Sequence, residues 1–203
     1  MEIQNFYTET LKISDTQLVQ TLAENSQIKV IKKGDILQHI GSVSTALYFL
    51  MKGLLRGFLL DVKGKEVTDC FIYAHGAPVV ASIDLGVPSL ICIEALEDSE
   101  LISIPFSVVL PLIGSNLELI TLYNRLLSHS LKMHWENKTA LVQYTAAERY
   151  QWFLENYPGL IERVNHKYIA SFLGITPVSL SRIRRIAREG AEFKQIRNHK
   201  EEE

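Results

Sequence analysis

Basic and polar side chains cluster near the C-terminus, in the stretch HKYIASFLGITPVSLSRIRR from His166 to Arg185. Arginine can donate two hydrogen bonds to guanine O6 and N7, and a small apolar group can touch the thymine methyl in the DNA major groove. One basic residue, Lys167, comes early in the stretch, and three arginines come late. The spacing allows two interpretations: a pair of helices that reads DNA, or an amphipathic helical hairpin that only closes a hydrophobic core.

The apolar spacing in this stretch predicts two short helices joined by a tight turn. Gly174 tolerates the positive φ that such a turn needs, Thr176 suits a helix N-cap, and Pro177 suits the first helical position. The faces expected to be buried consist of Ile169, Ala170, Phe172, Leu173, Leu180 and Ile183. The second helix then exposes small, polar and basic side chains: Val178, Ser179, Ser181, Arg182 and Arg185. A hairpin that only closes a core gives no reason to expose small, polar and arginine side chains on one face. The pattern therefore favours a DNA-binding helix–turn–helix.

Charge is distributed unevenly along the chain. The 203 residues carry a formal net charge of −2. Residues 163–200 contain nine Lys or Arg and two Glu, hence +7, and the last three residues are all Glu, hence −3. Residues 1–162 therefore carry −6. A basic C-terminal segment on an acidic body is typical of a separate DNA-contacting module.

The sequence contains no residue pattern typical of a metal, haem, iron–sulfur or catalytic site. Cys70 and Cys92 lie 22 positions apart in apolar surroundings, so they form neither a CxxC motif nor a four-thiolate cluster, and we expect two buried thiols. His39, Glu66 and His75 are too scattered for a metal site, and a lone loop histidine such as His75 is more typical of structure than of haem sensing. The sequence contains no phosphate-binding loop, nucleophile elbow or HExxH motif. We therefore expect no enzyme activity, no metal and no cofactor.

Residues 28–104 consist of short apolar runs separated by turn signals. The runs are ALYFL, LLRGFLL, VTDCFIY, LICIEAL and LISI. Several short strands at this spacing predict an all-β sandwich or barrel, and DVKGK between the second and third runs predicts a hairpin turn. Residues 1–25 have helical spacing instead, with Ser14 and Gln17 placed as in a capping box.

A long helix is predicted from about Ser115 to Thr139, where Gly and Pro are absent. It would be roughly 37 Å long at about 1.5 Å per residue. Its apolar stripe consists of Leu119, Leu122, Leu126 and Met133. Such a helix is either a buried core helix or a dimer interface, and beside a compact β-domain we favour the dimer.

The stretch IASFLGITPVSLSRIRR, with KKGDIL and LYFLMKGLLRGFLLDVKGKEV upstream, resembles the Crp/Fnr-type transcription regulators. The resemblance covers nearly the whole chain and implies an α+β fold. An N-terminal antiparallel β-roll, or jelly-roll, sensor domain would span residues 1–113. A dimerisation helix would span 114–139, and an all-α, winged helix–turn–helix domain would span 140–203. Residues 188–203 show no clear wing hairpin, however, and we expect a short helical or loose charged tail there.

The resemblance also implies roles for individual residues. A helix over about Pro177–Ala187 would enter the major groove. The side chains implied to face base edges are Pro177, Val178, Ser181 and Arg182. Those implied to hold phosphates are Lys167, Thr176 and Arg185. The position of Val178 is often Glu in this family, and since Val cannot accept a hydrogen bond from cytosine N4, the target sequence should differ.

Cyclic-nucleotide-binding members of this fold carry a phosphate cassette, a Gly-Glu pair followed by Arg-Ser or Arg-Thr. The corresponding segment here is APVVASIDLGVPSLICIEALE, and neither Arg nor Lys occurs between Lys65 and Arg125. A buried phosphate would therefore depend on backbone N–H groups and a helix dipole alone. We expect an effector pocket near Ser82 and Ser89 that takes neither cAMP nor cGMP, but an unidentified small molecule or none.

Two kinds of function follow. The first is a homodimeric, sequence-specific transcription regulator that binds a palindromic operator in double-stranded DNA, with RNA polymerase as a further partner. The alternative is a ligand-binding regulatory module that acts through protein–protein contacts without specific DNA binding, which the arginine-rich second helix argues against. The N-terminus lacks the features of a secretory signal, and no apolar run reaches the roughly 18 residues of a membrane span. We therefore expect a cytoplasmic protein without a membrane partner.

Overall fold

A computed structural model describes residues 2–82 and 86–201 of the chain, with side chains up to Glu189. The chain divides into two compact units, one ending at Met133 and the other beginning at His134. The division falls inside the long helix that was predicted to be a separate dimerisation segment, residues 114–139. That helix is observed from Leu117 to Gln143.

The first unit contains two four-stranded antiparallel sheets. The strands are β1 (Gln27–Ile31), β2 (Ile36–Gln38), β3 (Ala46–Lys52), β4 (Leu55–Leu60), β5 (Glu66–Ile72), β6 (Pro78–Val79), β7 (Cys92–Ala95) and β8 (Ser99–Pro105). One sheet has the order β1-β8-β3-β6 and the other the order β2-β7-β4-β5. The five apolar runs correspond to β3, β4, β5, β7 and β8, so the prediction of an antiparallel β-domain is confirmed.

The predicted hairpin turn joins β4 to β5. The Asp61 carboxylate accepts hydrogen bonds from the N–H groups of Lys63 and Lys65, at 2.8 and 3.0 Å. The Asp61 N–H donates to the Lys65 carbonyl at 2.9 Å, and Gly64 has a φ of +75°. These bonds hold the Asp61 pKa below its ordinary value, because they favour the charged carboxylate.

Helices cover one face of the β1-β8-β3-β6 sheet. They are α1 (Glu2–Asn5), which continues as a π-helical turn (Phe6–Thr10), α2 (Thr16–Glu24), α3 (Phe106–Ile113) and α4 (Leu117–Gln143). Their apolar side chains form one core cluster with Phe49, Ile102 and Ile104 of the sheet. No single helix among the described residues is long and apolar enough to cross a membrane; α3 and α4 pass that test only together, across a bend of 105°.

The N-terminus of α2 differs from the predicted capping box at Ser14 and Gln17. Asp15 is the N-cap, and its carboxylate accepts from the N–H groups of Gln17 and Leu18, at 2.9 and 3.0 Å. Ser14 and Asp15 donate their N–H groups to the Glu118 carboxylate on α4, at 2.6 and 2.9 Å. These backbone hydrogen bonds lower the pKa of Glu118. The distant partner explains the difference, because the Ser14 hydroxyl also binds Glu118, at 2.9 Å.

The residues predicted to form the dimer interface lie on the inner face of α4. Leu119 and Leu122 are each 6% exposed and belong to the core of the first unit. Leu126 is partly buried and packs against the same core, and Met133 is also partly buried. The dimer assignment is therefore corrected for Leu119 and Leu122, since their side chains already pack within their own subunit.

The second unit consists of helices. They are the last part of α4, α5 (Ala146–Asn156), α6 (Leu160–Arg163), α7 (His166–Phe172) and α8 (Pro177–Glu201). A capping box at Thr145 and Glu148 begins α5, with the Glu148 N–H bound to the Thr145 hydroxyl at 3.3 Å and the Thr145 N–H bound to the Glu148 carboxylate at 2.8 Å. Tyr150 and Phe153 are buried and place the inner face of α5 in the core of this unit.

No wing follows the helix–turn–helix within the described part of the second unit. Helix α8 continues to Glu201, where the family resemblance implies strands. Pro177, at the first helical position, is the only proline of this segment, so no proline interrupts the helix. We expected a short helical or a loose charged tail over residues 188–203; the segment is helical up to Glu201, and residues 202–203 lie outside the described residues.

A buried ion network joins three strands of the second sheet. Arg56 on β4 is fully buried, and its Nη1 and Nη2 atoms donate to Glu94 on β7 and to Glu66 on β5, each at 2.6 Å. The guanidinium carbon lies 4.4 Å from the centroid of the Phe58 ring. The Glu94 side chain is 15% exposed. Removal of one partner from such a network leaves an uncompensated buried charge.

We expect Arg56→Ala to lower the free energy of unfolding by about 3–5 kcal/mol, because Glu94 would stay buried without its cation. Urea unfolding measures the change. The double variant Arg56→Met/Glu94→Leu should recover most of the loss, since it removes the two buried charges and leaves only Glu66, whose side chain is 47% exposed. The matched control is Lys32→Ala, which breaks the exposed Lys32–Asp98 pair at 2.8 Å and should leave the unfolding midpoint unchanged. Equal midpoints for Arg56→Ala and Lys32→Ala would contradict a stabilising role for the network.

Candidate nucleic-acid interface

The turn between α7 and α8 closes the end of α7 with two backbone hydrogen bonds. The Ile175 N–H donates to the Ala170 carbonyl at 2.9 Å, and the Gly174 N–H donates to the Ser171 carbonyl at 3.1 Å. Gly174 has a φ of +62°. This is the Schellman arrangement, in which a left-handed residue past the helix end lets later N–H groups satisfy the last carbonyls. The prediction that Gly174 makes the turn is confirmed.

The turn also packs against the C-terminal part of α4. A Cβ atom at Gly174 would lie 3.2 Å from Leu141 Cδ2, closer than most side chains tolerate. The Arg149 Nη1 atom donates to the Leu141 carbonyl at 3.1 Å and ties α5 to the same end of α4. Position 174 therefore favours glycine for its φ, and a Cβ there would also require the Leu141 side chain to shift by a few tenths of an ångström.

The inner faces of the two helices are buried as predicted. Ile169, Ala170 and Leu180 are fully buried, and Phe172 and Leu173 are at most 2% exposed. Phe172 stacks within an aromatic group that includes Trp152, Phe153 and Tyr157, with ring centroids 5.3–6.3 Å from its own. This group fixes α7 on α5, so the orientation of α8 depends on a rigid core rather than on a loop.

Helix α8 begins with a side-chain cap at Thr176. Its hydroxyl oxygen accepts from the Ser179 N–H at 3.1 Å and lies 2.9 Å from the Ser179 hydroxyl. Pro177 follows at the first helical position, where its missing N–H loses no intrahelical bond. Thr176, which was predicted to hold a phosphate, therefore serves as the N-cap of α8. Its hydroxyl oxygen accepts in the cap, so its hydroxyl proton is available to donate to Ser179 or to a phosphate.

Of the side chains predicted to face base edges, Val178, Ser181 and Arg182 share one exposed side of α8, whereas Pro177 lies at its edge and lines the hollow described below. Val178 is 79% exposed, and Pro177, Ser181 and Arg182 are exposed as well. Positions 178, 181, 182 and 185 are neighbours on a helix surface, since they are separated by three, four or seven residues. The structure brings together a small apolar group, a hydroxyl and guanidinium groups, which suits the donor and methyl pattern of a major groove.

Two further predicted phosphate ligands, Lys167 and Arg185, are also exposed. The Lys167 ammonium lies 4.6 Å from the centroid of the Tyr168 ring at the start of α7. Arg185 lies one turn after Ser181, and its Nε atom is 3.8 Å from the Glu189 carboxylate. That pair is long and exposed, so Arg185 can exchange Glu189 for a phosphate at little cost.

A basic hollow lies beside this face, between the start of α7 and α8. Its volume is about 280 Å³, and its lining is His166, Pro177, Leu180, Ser181, Arg184, Arg185, Arg188 and Glu189. The Arg184 guanidinium contacts the His166 ring within hydrogen-bonding distance. Partial burial and the positive charges of Arg184 and Arg188 lower the pKa of His166. His166, Arg184 and Arg188 were not among the site residues predicted from sequence. The excess of basic residues over 163–200 did indicate that this segment contacts DNA.

The predicted effector pocket is small. Ser82 and Ser89 line the same cavity in the first unit, which has a volume of about 30 Å³ and is also lined by Gln38, Tyr48 and Val79. Ser89 is 4% exposed, and its hydroxyl lies 2.5 Å from the Ile91 carbonyl and 3.1 Å from the Ala81 carbonyl. The cavity holds roughly one or two water molecules, and the Ser89 hydroxyl is already bonded to backbone. Residues 83–85 of the cassette segment lie outside the described residues.

The other candidate residues are structural where the chain is described. His75 binds the Met51 carbonyl through Nδ1 at 2.8 Å and the Thr10 hydroxyl through Nε2 at 3.0 Å, which fastens the N-terminal helices to the β-domain. Burial raises the pKa of Cys70 to about 12, and Cys92 is buried. Within residues 2–82 and 86–201, no group of three or more His, Cys, Asp or Glu is placed to hold a metal ion.

Comparisons with known proteins agree with this architecture. No protein-family model matches the chain. The regulatory protein HlyX of Actinobacillus pleuropneumoniae is 24% identical over 182 residues, which cover 84% of this chain and 75% of HlyX. FixK2 from Bradyrhizobium japonicum superposes with a TM-score of 0.73 at 16% identity, over 81% of this chain and 86% of that one. A protein from Eubacterium rectale, assigned to the Crp/Fnr family of transcriptional regulators, superposes with a TM-score of 0.69 at 19% identity, over 91% of this chain and 88% of that one.

These likenesses, with the two antiparallel sheets, the long helix and the helix–turn–helix, confirm the predicted α+β fold: the chain has the fold of the Crp/Fnr-type transcription regulators.

Proposed function

We propose that the protein is a dimeric, sequence-specific DNA-binding transcription regulator in which α8 enters the major groove. The observation that carries this proposal is the exposed side of α8. Val178, Ser181 and Arg182 project from a helix whose opposite side, at Leu180, is fully buried. A helix in this setting presents a fixed set of donors and apolar groups to base edges. The similarity to HlyX, a regulatory protein, and to a Crp/Fnr transcriptional regulator supports the same function.

Affinity in this proposal comes mainly from phosphates and specificity from base edges. Arg182 donates to a guanine, Val178 contacts a thymine methyl or a similar apolar edge, and Pro177 and Ser181 complete the contact surface. Lys167, Thr176 and Arg185 hold phosphates, which fixes the register of α8 on the duplex. A dimer would place two such helices about 34–36 Å apart on a palindromic operator.

The outer face of α4 supports dimerisation. Leu117 is 78% exposed and Leu131 is 60% exposed. They are 14 residues apart, a multiple of about 3.5 residues, the repeat of two packed helices. This face is opposite to the one that carries Leu119 and Leu122, so we propose it as the dimer interface in place of the predicted residues. Partly buried Ile120 and Leu127 extend the same face.

The proposed function also includes where the protein acts, what it contacts and what controls it. The protein acts in the cytoplasm, catalyses no reaction, and contacts RNA polymerase when it is bound at an operator. Its signal is not a cyclic mononucleotide, because the cavity beside Ser82 and Ser89 is far smaller than a ligand pocket of roughly 300–1,000 Å³. An effector that controls the protein would act by its different affinity for two arrangements of the dimer.

The alternative, a regulatory module that docks on another protein through its helix pair, is less well supported. A protein-docking face is usually depleted of charge at its centre. Here the exposed side of α8 carries Arg182 and Arg185 beside the basic hollow, in a segment of net charge +7 over residues 163–200. That composition fits a polyanion better than an apolar protein surface.

Arg182→Ala should weaken discrimination at one base pair of the operator by about 1–3 kcal/mol and relax the preference there. The measurement is fluorescence anisotropy on an operator selected from random duplexes and on its single-base variants. Arg185→Ala should instead weaken binding to all the duplexes alike, because a phosphate contact carries no sequence information. Lys63→Ala, in the β4–β5 turn, is the control for loss of one positive charge. Unchanged affinity and preference in Arg182→Ala would remove Arg182 from the base contacts.

Leu131→Glu should raise the dimer dissociation constant by at least about tenfold, because an unpaired carboxylate is costly to bury in an apolar interface. Sedimentation equilibrium measures the constant, and circular dichroism checks that the subunit stays folded. His129→Glu places the same charge on an exposed position of another face of α4 and should leave the dimer intact. A wild-type dissociation constant for Leu131→Glu would exclude the outer face as the interface.

Neither cAMP nor cGMP at millimolar concentration should raise the thermal unfolding midpoint, since the cavity of about 30 Å³ does not accommodate a nucleotide. Differential scanning fluorimetry provides the test. The selected operator duplex serves as the positive control and should raise the midpoint, because it binds only the folded protein. A midpoint that rises with the concentration of either nucleotide would show that the sensor domain opens to bind it.

A further inference from the structure

We propose that the basic hollow between α7 and α8 binds a backbone phosphate of duplex DNA, and that His166 takes up a proton when this phosphate binds. The inference rests on the proposed function, because the phosphate belongs to the duplex that α8 reads. It adds a phosphate ligand set, His166 with Arg184 and Arg188, and it makes DNA affinity dependent on pH.

The shape of the hollow fits an anion. Arg184 and Arg188 are one helical turn apart on α8, and Arg184 contacts His166 at the start of α7. Leu180 and Pro177 also line the hollow, so these basic side chains share one concave surface. The volume of about 280 Å³ is large enough for a phosphate group with part of its hydration shell.

The charges of the hollow are not balanced within the described residues that line it. The lining contains three arginines and His166 but one carboxylate, that of Glu189. The Glu189 carboxylate lies 3.8 Å from the Arg185 Nε atom. Arg184 directs one nitrogen toward His166, a contact that needs a neutral ring nitrogen as acceptor, so protonation of His166 releases this N–H donor, which the phosphate can then accept. An anion placed here would relieve the repulsion among the arginines.

The hollow adjoins the surface that reads bases. Ser181 and Arg185 belong to the exposed side of α8 and also line the hollow. In protein–DNA complexes the phosphates on either side of a groove are held by residues that flank the base-reading side chains. A phosphate in the hollow would therefore belong to the strand that borders the groove occupied by Val178 and Arg182.

Proton uptake follows from the groups that face His166. From α8 it meets Arg184 and Arg188, which with partial burial lower its pKa, while its backbone hydrogen bond at Ile161 acts in the opposite direction. The imidazole is therefore mostly neutral in the free protein near neutral pH. A bound phosphate adds negative charge beside the ring and raises the pKa again. The complex then binds more protons than the free protein, so affinity rises as pH falls through the interval between the two pKa values.

The test measures duplex affinity from about pH 8 to about pH 5.5, the range in which a histidine titrates. It compares wild-type protein with His166→Gln, which keeps a hydrogen-bonding side chain but does not titrate. Both the selected operator and a random duplex are used, because each presents backbone phosphates. For wild type, the dissociation constant should fall with decreasing pH by up to about tenfold per unit more than for the variant. The difference should be present on both duplexes.

Two further measurements identify the ligand. The His166 ring pKa, followed by NMR and assigned by comparison with His166→Gln, should rise on addition of duplex and stay unchanged in millimolar inorganic phosphate. Arg188→Gln should reduce the slope of log affinity against log salt concentration by about 0.9, the value for one phosphate contact. Lys63→Gln is the matched control and should leave the slope unchanged.

The outcomes separate this inference from the proposed function. Identical pH dependence in wild type and His166→Gln would overturn the inference and leave sequence-specific binding intact. Equal affinity for the selected and random duplexes would overturn the proposed function, while a pH difference that His166→Gln abolishes on both would still support the phosphate site. Inorganic phosphate that raises the His166 pKa at lower phosphate concentration than the duplex does would overturn the assignment to DNA.

Discussion

The close contact of α7 with α8 sets the direction of every functional side chain in the second unit. Ala170 and Leu180 are fully buried, and the turn at Gly174 is held by two backbone hydrogen bonds and by Leu141 beneath it. Protein cores are packed to the density of organic crystals, so a larger residue at the fully buried position 170 would move its neighbours. Because Arg182 lies on the side of α8 opposite to Leu180, such a movement would also change the direction of the side chains that we propose to contact DNA.

Burial also decides which side of α4 is available to a second subunit. The helix has two apolar faces, and one of them, with Leu119 and Leu122, completes the core beneath the N-terminal helices. Glu118 strengthens that arrangement, because its carboxylate accepts the N–H groups of Ser14 and Asp15. The other face carries Leu117 and Leu131, both more than half exposed. A surface of this kind is unusual for an isolated helix and typical of one that packs against a partner.

The features predicted correctly from sequence are local ones. The helix–turn–helix depends on residues within a few positions of Gly174, and the β4–β5 turn depends on five consecutive residues, so both could be derived from side-chain chemistry and spacing. The features that were missed or wrongly predicted from sequence involve residues that are distant in the chain. Arg56 is matched by Glu66 and Glu94, and the N-cap of α2 shifted because Glu118 binds Ser14. The basic hollow joins His166 to Arg184 from two helices, which periodicity within one helix does not reveal. For α4 the pattern itself was ambiguous, since two apolar faces have the same repeat.

Positive charge is concentrated in the segment that contains α7 and α8. Residues 163–200 carry +7 and residues 1–162 carry −6, although the whole chain is near neutrality. In the proposed complex, Lys and Arg contacts to phosphates release counterions and dominate affinity, so attraction to DNA would come mainly from the segment that contains α7 and α8. The acidic residues 1–162 would repel a polyanion and so oppose non-specific binding. The preference for one DNA site would then depend more on the few base-reading side chains proposed for α8.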